Sequence, residues 1–152
     1  RTPDPFLKEA PPDPVVKREP SIAAQYFAAM RSGDDEAAWK AVVDYPPDPT
    51  GRQEMDRQSA ELRLAVIYLQ QGRRDKAVEI FQRFKAEGPT NPWKKDHGLA
   101  GEAIVDSLEG KHSQSKFSIE QLDRQQAKLD ARLSLLVDEA RARNAAALKQ
   151  SQ

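Results

Sequence analysis

Residues that most often carry chemistry are sparse in this chain and form no recognisable metal-binding pattern. There are two histidines, His97 and His112, and no cysteine. Their separation is not the His-x3-His spacing of a helical zinc site, and without thiols neither a thiolate metal site nor a disulfide can form. Each histidine is therefore predicted to lie at a surface or a helix end, and we expect neither a metal nor another cofactor.

Carboxylates and serines give no catalytic motif either. Gly-x-Ser-x-Gly, phosphate-binding glycine loops and dinucleotide fingerprints are absent from the sequence. Acidic residues cluster at positions 34–36 and 138–139. The first cluster follows Gly33, where a helix dipole favours negative charge at the start of the next helix. We therefore expect a protein that is not an enzyme.

Overall charge argues against nucleic-acid and membrane partners. Lysine plus arginine equals aspartate plus glutamate, at 24 each, so no net field attracts phosphates or anionic lipids. The basic pairs 73–74 and 94–95 are each followed by an aspartate, which weakens the field beside Trp93. The longest apolar run, residues 64–69, is far below the roughly 20 residues that cross a bilayer. We expect no nucleic acid and no membrane insertion of this segment, and the compartment stays unknown.

The first 20 residues differ in composition from the rest. Residues 1–20 hold six of the eleven prolines, which remove amide donors and favour extended backbone. This segment is predicted to be a proline-rich arm or linker, with a polyproline ligand at residues 11–14 as the alternative. The chain begins at Arg1 without a methionine, so we expect it to be part of a longer protein.

From Ser21, a predicted N-cap, the periodicity is helical and repeats. Gly33, Gly72 and Gly110 are spaced by 39 and 38 residues, and each interrupts a block of helical pattern. Residues 21–117 are therefore predicted to form about three helix pairs. A single pair cannot bury two apolar faces and must stack on its neighbours. Residues 62–69 are apolar almost all round, which indicates the middle of that stack.

The middle block resembles a tetratricopeptide repeat. Residues that fall into register with that signature are Leu64, Tyr68, Ala77, Phe81 and Pro89. Two positions depart from it, because Glu61 replaces the tryptophan and Ala65 replaces the glycine. The resemblance implies an all-α fold: a tetratricopeptide-like solenoid of antiparallel helix pairs, followed here by a long C-terminal helix.

The same resemblance implies a function in protein–protein interaction. Such repeats bind a peptide or helix in a concave groove lined by the first helix of each pair. On this sequence the partner-binding residues would be Phe27, Leu62, Arg63, Val66, Leu69, Gln70, Trp93 and His97. We expect a non-catalytic module of a larger, bacterial multidomain protein. Its groove would take an apolar segment from a protein or peptide partner, or from the chain's own C-terminal helix.

Residues 118–150 are predicted to form that single long helix. From Ile119 apolar side chains recur by three and four without a glycine or proline. The seam residues are Ile119, Leu122, Leu129, Leu133 and Leu136. We favour a helix that caps the last pair, because Leu135 and Val137 widen the stripe beyond a two-stranded zipper. The alternative is a structural oligomerisation module, a homodimer joined through this seam.

Overall fold

The structure is a computed structural model that describes residues 15–151, and these residues form an all-α fold without a β-strand. The sequence prediction of an all-α chain is confirmed. The predicted polyproline ligand lies outside the described residues. The helices are α1 (Ile22–Ser32), α2 (Glu36–Val43), α3 (Glu54–Gln70), α4 (Arg74–Glu87), α5 (Pro92–Leu108), α6 (His112–Arg124) and α7 (Ala131–Gln150), with a 3₁₀ turn at Gly88–Thr90 before α5.

Glycines end the helices where the spacing predicts. Gly72 lies between α3 and α4 with φ +74°, and Gly110 lies between α5 and α6 with φ +83°. At Gly72 the backbone makes the paired bonds of a Schellman cap, from Gly72 N–H to Leu69 O and from Arg73 N–H to Tyr68 O. Glycine adopts this left-handed conformation without a steric penalty, so these short turns reverse the chain.

Hydrophobic packing makes α3 and α5 the centre of the molecule. α3 contacts α1, α2 and α4, whereas α5 contacts α4, α6 and α7. This confirms that α3 is buried on several sides, as its sequence predicts. Phe81 of α4 packs directly on Gly101 of α5, where a Cβ atom would lie 2.2 Å from the Phe81 Cδ1 atom. Glycine at this position therefore permits the close approach of α4 and α5.

Helices α2 and α3 run antiparallel, as polar contacts at both ends of the pair show. The Arg57 guanidinium near the start of α3 donates to Tyr45 O, just after the end of α2, at 2.7 Å. Tyr68 near the end of α3 donates its hydroxyl to Glu36, at the start of α2, at 3.0 Å. None of the helices in residues 15–151 is both long and apolar enough to cross a membrane.

The predicted single C-terminal helix is wrong, because α6 and α7 are separate helices. α6 ends in the same Schellman bonding as α3, with Gln126 at φ +52° in the place where α3 has glycine. Asp130 then starts α7 by accepting the amide protons of Arg132 and Leu133 on its Oδ1 atom. The predicted boundary at residue 118 falls inside α6, which pairs with α5.

The end of the predicted arm is bound to the domain. The Gln25 side chain accepts the Glu19 amide proton at 2.8 Å and donates to Lys17 O at 3.2 Å. The Tyr45 hydroxyl donates to Glu19 O at 2.9 Å. Because Gln25 is 1% exposed, these bonds satisfy a buried amide that would otherwise be costly. Residues 17–19 are therefore part of the folded domain.

Candidate functional site

The predicted partner-binding residues lie on α1, α3 and α5, and the surface they form is called the inner face below. Their positions are Phe27 on α1, then Leu62, Arg63, Val66, Leu69 and Gln70 on α3, then Trp93 and His97 on α5. The structure brings Leu62, Arg63 and Val66 together around a small cavity. Trp93 and His97 stack on each other with ring centroids 3.9 Å apart.

The cavity is lined in part by the chain's own C-terminal region. It encloses about 80 Å³, room for only a few water molecules. Asp130 and Arg132, from the beginning of α7, form part of its lining; residues 130–132 are called the α7 head below. Its lining consists of Tyr26, Trp39, Ser59, Leu62, Arg63, Val66, Asp130 and Arg132.

The sequence left two occupants open for the groove over α3 and α5, a partner or the chain's own C-terminal helix, and the structure places the α7 head at this cavity. Leu62 is 3% exposed, Val66 is 2% exposed and His97 is fully buried, so these side chains offer a partner almost no accessible surface. The sequence placed all three on a solvent-facing wall. Leu62 and Val66 belong to α3, which packs against α1, α2 and α4, whereas His97 belongs to α5, which packs against α4, α6 and α7. The turn at residues 125–130 adds the α7 head to the lining of the cavity.

Arg63, one of the predicted partner-binding residues, makes its contacts inside the molecule. Its guanidinium donates to the Asp34 carboxylate at 2.8 Å and lies 5.2 Å from the centre of the Trp39 ring. Arg132 of the α7 head contacts the same Asp34 oxygen at 3.2 Å. Asp34 therefore links the end of α1 with both α3 and the α7 head.

His97 has both ring nitrogens hydrogen-bonded, which fixes its tautomer. Nδ1 lies 2.7 Å from Trp93 O, which can only accept, so Nδ1 carries the proton. Nε2 lies 3.0 Å from the Asp130 amide, which can only donate, so Nε2 accepts. Burial lowers the His97 pKa from its ordinary value, while the Trp93 carbonyl and the Asp130 and Asp96 carboxylates oppose that shift.

The exposed part of the inner face lies on α1. Phe27 is 60% exposed, and Met30, one turn later on the same side of α1, is 54% exposed. Leu69 is half-buried and Gln70 is exposed at the end of α3. On α7, Leu135 is 65% exposed and follows Arg132 by one turn. Sequence reasoning missed Met30, whose spacing from Phe27 was the available signal.

The predicted seam residues pack inside the chain. Ile119 and Leu122 of α6 are 2% and 3% exposed, and Leu133 of α7 is fully buried. Leu129 and Leu136 are half-buried against the same core. These five side chains lie on two helices and the loop between them, so they do not form one continuous exposed seam. The physical reason is again the break at Gln126.

Two larger grooves have lining side chains of mixed charge. A groove of about 370 Å³ between α6 and α7 is lined by Lys116, Ile119, Glu120, Arg141, Asn144, Ala145, Leu148 and Lys149. One of about 390 Å³ between α4 and α5 includes Asp106, whose pKa is raised by burial and by Glu102. In the part of the chain described, no three histidine or acidic side chains group as a metal site requires.

Comparison with known protein families, with curated proteins and with solved structures finds no match for this chain.

Proposed function

We propose that this chain is a non-catalytic protein-interaction module that binds an amphipathic helix on the exposed α1 part of the inner face. Phe27 and Met30 would be its apolar anchors. The observation that carries the proposal is α7 itself, a helix whose head already lies across the α3 part of the same face. That head is held by the polar contacts of Asp130 with His97 and of Arg132 with Asp34, whereas the exposed apolar side chains of α1 would take a partner helix by apolar contacts.

Recurring turns support a tetratricopeptide-like stack as the scaffold for this function. Positive-φ glycines at the turns between helices recur at Gly33, Gly72 and Gly110, which are 39 and 38 residues apart. The N-cap residues of α5 and α7, Asn91 and Asp130, are also 39 residues apart. On this reading α7 occupies the place of a fourth first helix.

A pair of ion pairs supports the same repeat. Lys85 of α4 contacts Glu102 of α5, and Asp123 of α6 contacts Arg141 of α7. The second contact lies 38 and 39 residues after the first, with the charges exchanged. The outward side of α7 is polar, with exposed Asp138 and Glu139, as expected of a helix that ends such a stack.

The partner is expected to present leucine-like side chains along one side of a helix, as α7 does with Leu133, Leu136 and Val137. Burying a phenylalanine or methionine side chain contributes about 1.5–3 kcal/mol. Because Phe27 is 60% exposed in the free chain, its burial would contribute about 1–2 kcal/mol. Phe27→Glu should therefore weaken binding by roughly tenfold or more.

The test selects displayed amphipathic helices that bind the whole chain at neutral pH and measures their affinity by calorimetry. Phe117→Glu is the matched control, because Phe117 is 62% exposed but lies on α6. We expect helices whose binding is weakened by Phe27→Glu and unchanged by Phe117→Glu. The proposal is wrong if no helix binds below about 1 μM, or if both variants weaken binding equally.

The solution mass of the same samples, measured by light scattering, distinguishes a partner-binding module from a homodimer. We expect the wild-type chain and the Phe27→Glu variant to have the mass of a monomer. A wild-type dimer that Phe27→Glu converts into a folded monomer would instead make the exposed α1 surface a contact between copies, and the partner helix would be refuted.

A further inference from the structure

We propose that the His97–Asp130 hydrogen bond is a proton-sensitive latch, which holds the α7 head over α3 when His97 is neutral and releases it when His97 is protonated. The observations are geometric. His97 is fully buried on α5, and its Nε2 atom accepts the Asp130 amide proton at 3.0 Å. This hydrogen bond joins a side chain of α5 to Asp130, the N-cap residue of α7.

Protonation must disrupt this contact. Nδ1 already carries a proton for Trp93 O, so a second proton can bind only at Nε2. The Nε2 atom would then point an N–H group at the Asp130 N–H group, and two donors cannot share a hydrogen bond. A buried imidazolium with one unsatisfied N–H is costly. The protonated ring therefore favours a state in which the Asp130 backbone moves away.

The same residue connects the latch to the helix and to the cavity. The Asp130 carboxylate accepts the amide protons of Arg132 and Leu133, at 3.0 and 3.4 Å, and so caps α7. Asp130 and Arg132 also line the cavity that Leu62 and Val66 line from α3. Displacing Asp130 thus loosens the first turn of α7 and opens the cavity on its α7 side.

Contacts nearer the C-terminus keep the rest of α7 in place. Arg143 donates to the Ser107 hydroxyl at 2.9 Å, and the Asn144 amide donates to the Ser115 hydroxyl at 2.8 Å. His112 lies 3.0 Å from Asn144 Oδ1. These bonds tie the second half of α7 to α5 and α6, so we infer movement of the head alone.

Charges around His97 act in both directions. Asp96 on α5 and Asp130 before α7 favour the protonated ring. Arg63 of α3 and Arg132 of α7 face the adjoining cavity and carry the opposite charge. Burial is the largest influence and lowers the His97 pKa in the closed state from its ordinary 6.5. In the released state the ring meets water and regains that ordinary pKa.

The sign of the pH dependence follows from linkage. The closed state binds the His97 proton less readily than the released state, so closure is favoured at a pH above 6.5, the ordinary histidine pKa. As the pH falls below that value, the opening equilibrium rises by up to about tenfold per pH unit. The rise stops when the pH reaches the lowered pKa of the closed state.

The experiment measures hydrogen exchange of the Asp130, Arg132 and Leu133 amides by NMR on the whole chain. In His97→Gln the side chain can still accept the Asp130 amide proton but cannot titrate. The wild-type and variant chains are compared at the same pH, because intrinsic exchange then cancels. The second histidine supplies the control, His112→Gln, which should behave like the wild type.

We expect equal exchange at about pH 7.5 and up to about tenfold faster exchange in the wild type than in His97→Gln at about pH 5.5. For amides in the middle of α5, such as Ile104, the ratio of the wild-type exchange rate to the His97→Gln exchange rate should stay the same at both pH values. The latch is refuted if the three head amides show no difference between the chains at about pH 5.5. It is equally refuted if α5 loses protection in parallel, because the acid effect would then be global unfolding. If His97→Gln fails to fold, the wild type alone still tests the latch. Between about pH 7.5 and about pH 5.5 the three head amides should then lose protection while the α5 amides keep theirs.

A consequence for partner binding rests on the proposed function, since release would extend the helix-binding surface from α1 onto α3. A helix that binds through Phe27 should then bind the wild type more tightly at acid pH. The exchange experiment contains no partner, so the latch can stand if the partner-binding proposal fails, and the reverse also holds.

Discussion

Replacing Leu133 with alanine tests whether α7 belongs to the chain's own core. Leu133 is fully buried, whereas Leu135, two residues later on the same helix, is 65% exposed. Truncating a buried leucine costs about 2–5 kcal/mol, through lost burial and the cavity that remains. Surface substitutions usually change stability by less than about 0.5 kcal/mol. Leu135→Ala is therefore a control of the same chemistry, on the same helix, with a different burial.

The assay is urea unfolding followed by the helical circular dichroism signal, at two protein concentrations about tenfold apart. We expect Leu133→Ala to lower the free energy of unfolding by about 2–5 kcal/mol, a large share of the ~5–15 kcal/mol typical of a domain. Leu135→Ala should change it little, and neither midpoint should depend on concentration. Equal losses in the two variants would contradict the packing of α7. Midpoints that rise with concentration in the wild type would point to a seam between chains.

Two further predictions concern the packing of the core and the dependence of stability on pH in acid. Gly101→Ala should destabilise the chain by about 1–3 kcal/mol in thermal unfolding, because its Cβ atom would lie 2.2 Å from the Phe81 ring; a gain in stability from better helix propensity would contradict this packing. The Arg73 guanidinium, with help from the Tyr68 hydroxyl, lowers the Glu36 pKa although burial opposes it. That stabilisation is present above the ordinary carboxyl pKa and is lost as pH falls through the lowered folded-state value. Glu36→Gln should therefore reduce stability at neutral pH and match the wild type in acid, and an unchanged pH profile would refute the contribution of this ion pair.

Glycine turns and the buried α3 were readable from the sequence, because they follow from local rules. Gly72 and Gly110 end helices with the positive φ that glycine allows. The apolar circumference of residues 62–69 requires neighbours on several sides. These signals predicted the helices and their approximate pairing, together with Ser21 as the N-cap of α1.

The break between α6 and α7 was missed because its end signal is weak. Gln126 takes the left-handed conformation that usually selects glycine, and the apolar pattern continues through it. The start signal was present, since Asp130 is a good N-cap residue followed closely by Leu133. An N-cap alone does not end the preceding helix, so sequence periodicity continued the helix through residues 125–130.

The cover over the inner face had no local signal at all. It depends on where the chain returns after α6, which the long-range contacts of Arg132 with Asp34 and of Asp130 with His97 reveal. In the sequence, each residue of these two contacts looks like an ordinary charged or helix-end residue. Sequence reasoning therefore gave Leu62, Val66 and His97 the wrong exposure.

The most direct test of this account asks whether the α7 head lies beside the end of α1 in the same chain. The chain has no cysteine, so Asp34→Cys with Arg132→Cys creates a unique pair for a short bismaleimide. Asp34→Cys removes the ion pairs of Asp34 with both Arg63 and Arg132, and surface pairs of this kind contribute at most about 1 kcal/mol each. The control pairs Asp34→Cys with Ala146→Cys, which lies about 20 Å further along α7. We predict an intrachain cross-link for the first pair and none for the second. No intrachain product for the first pair, or cross-links between chains, would contradict the covered inner face.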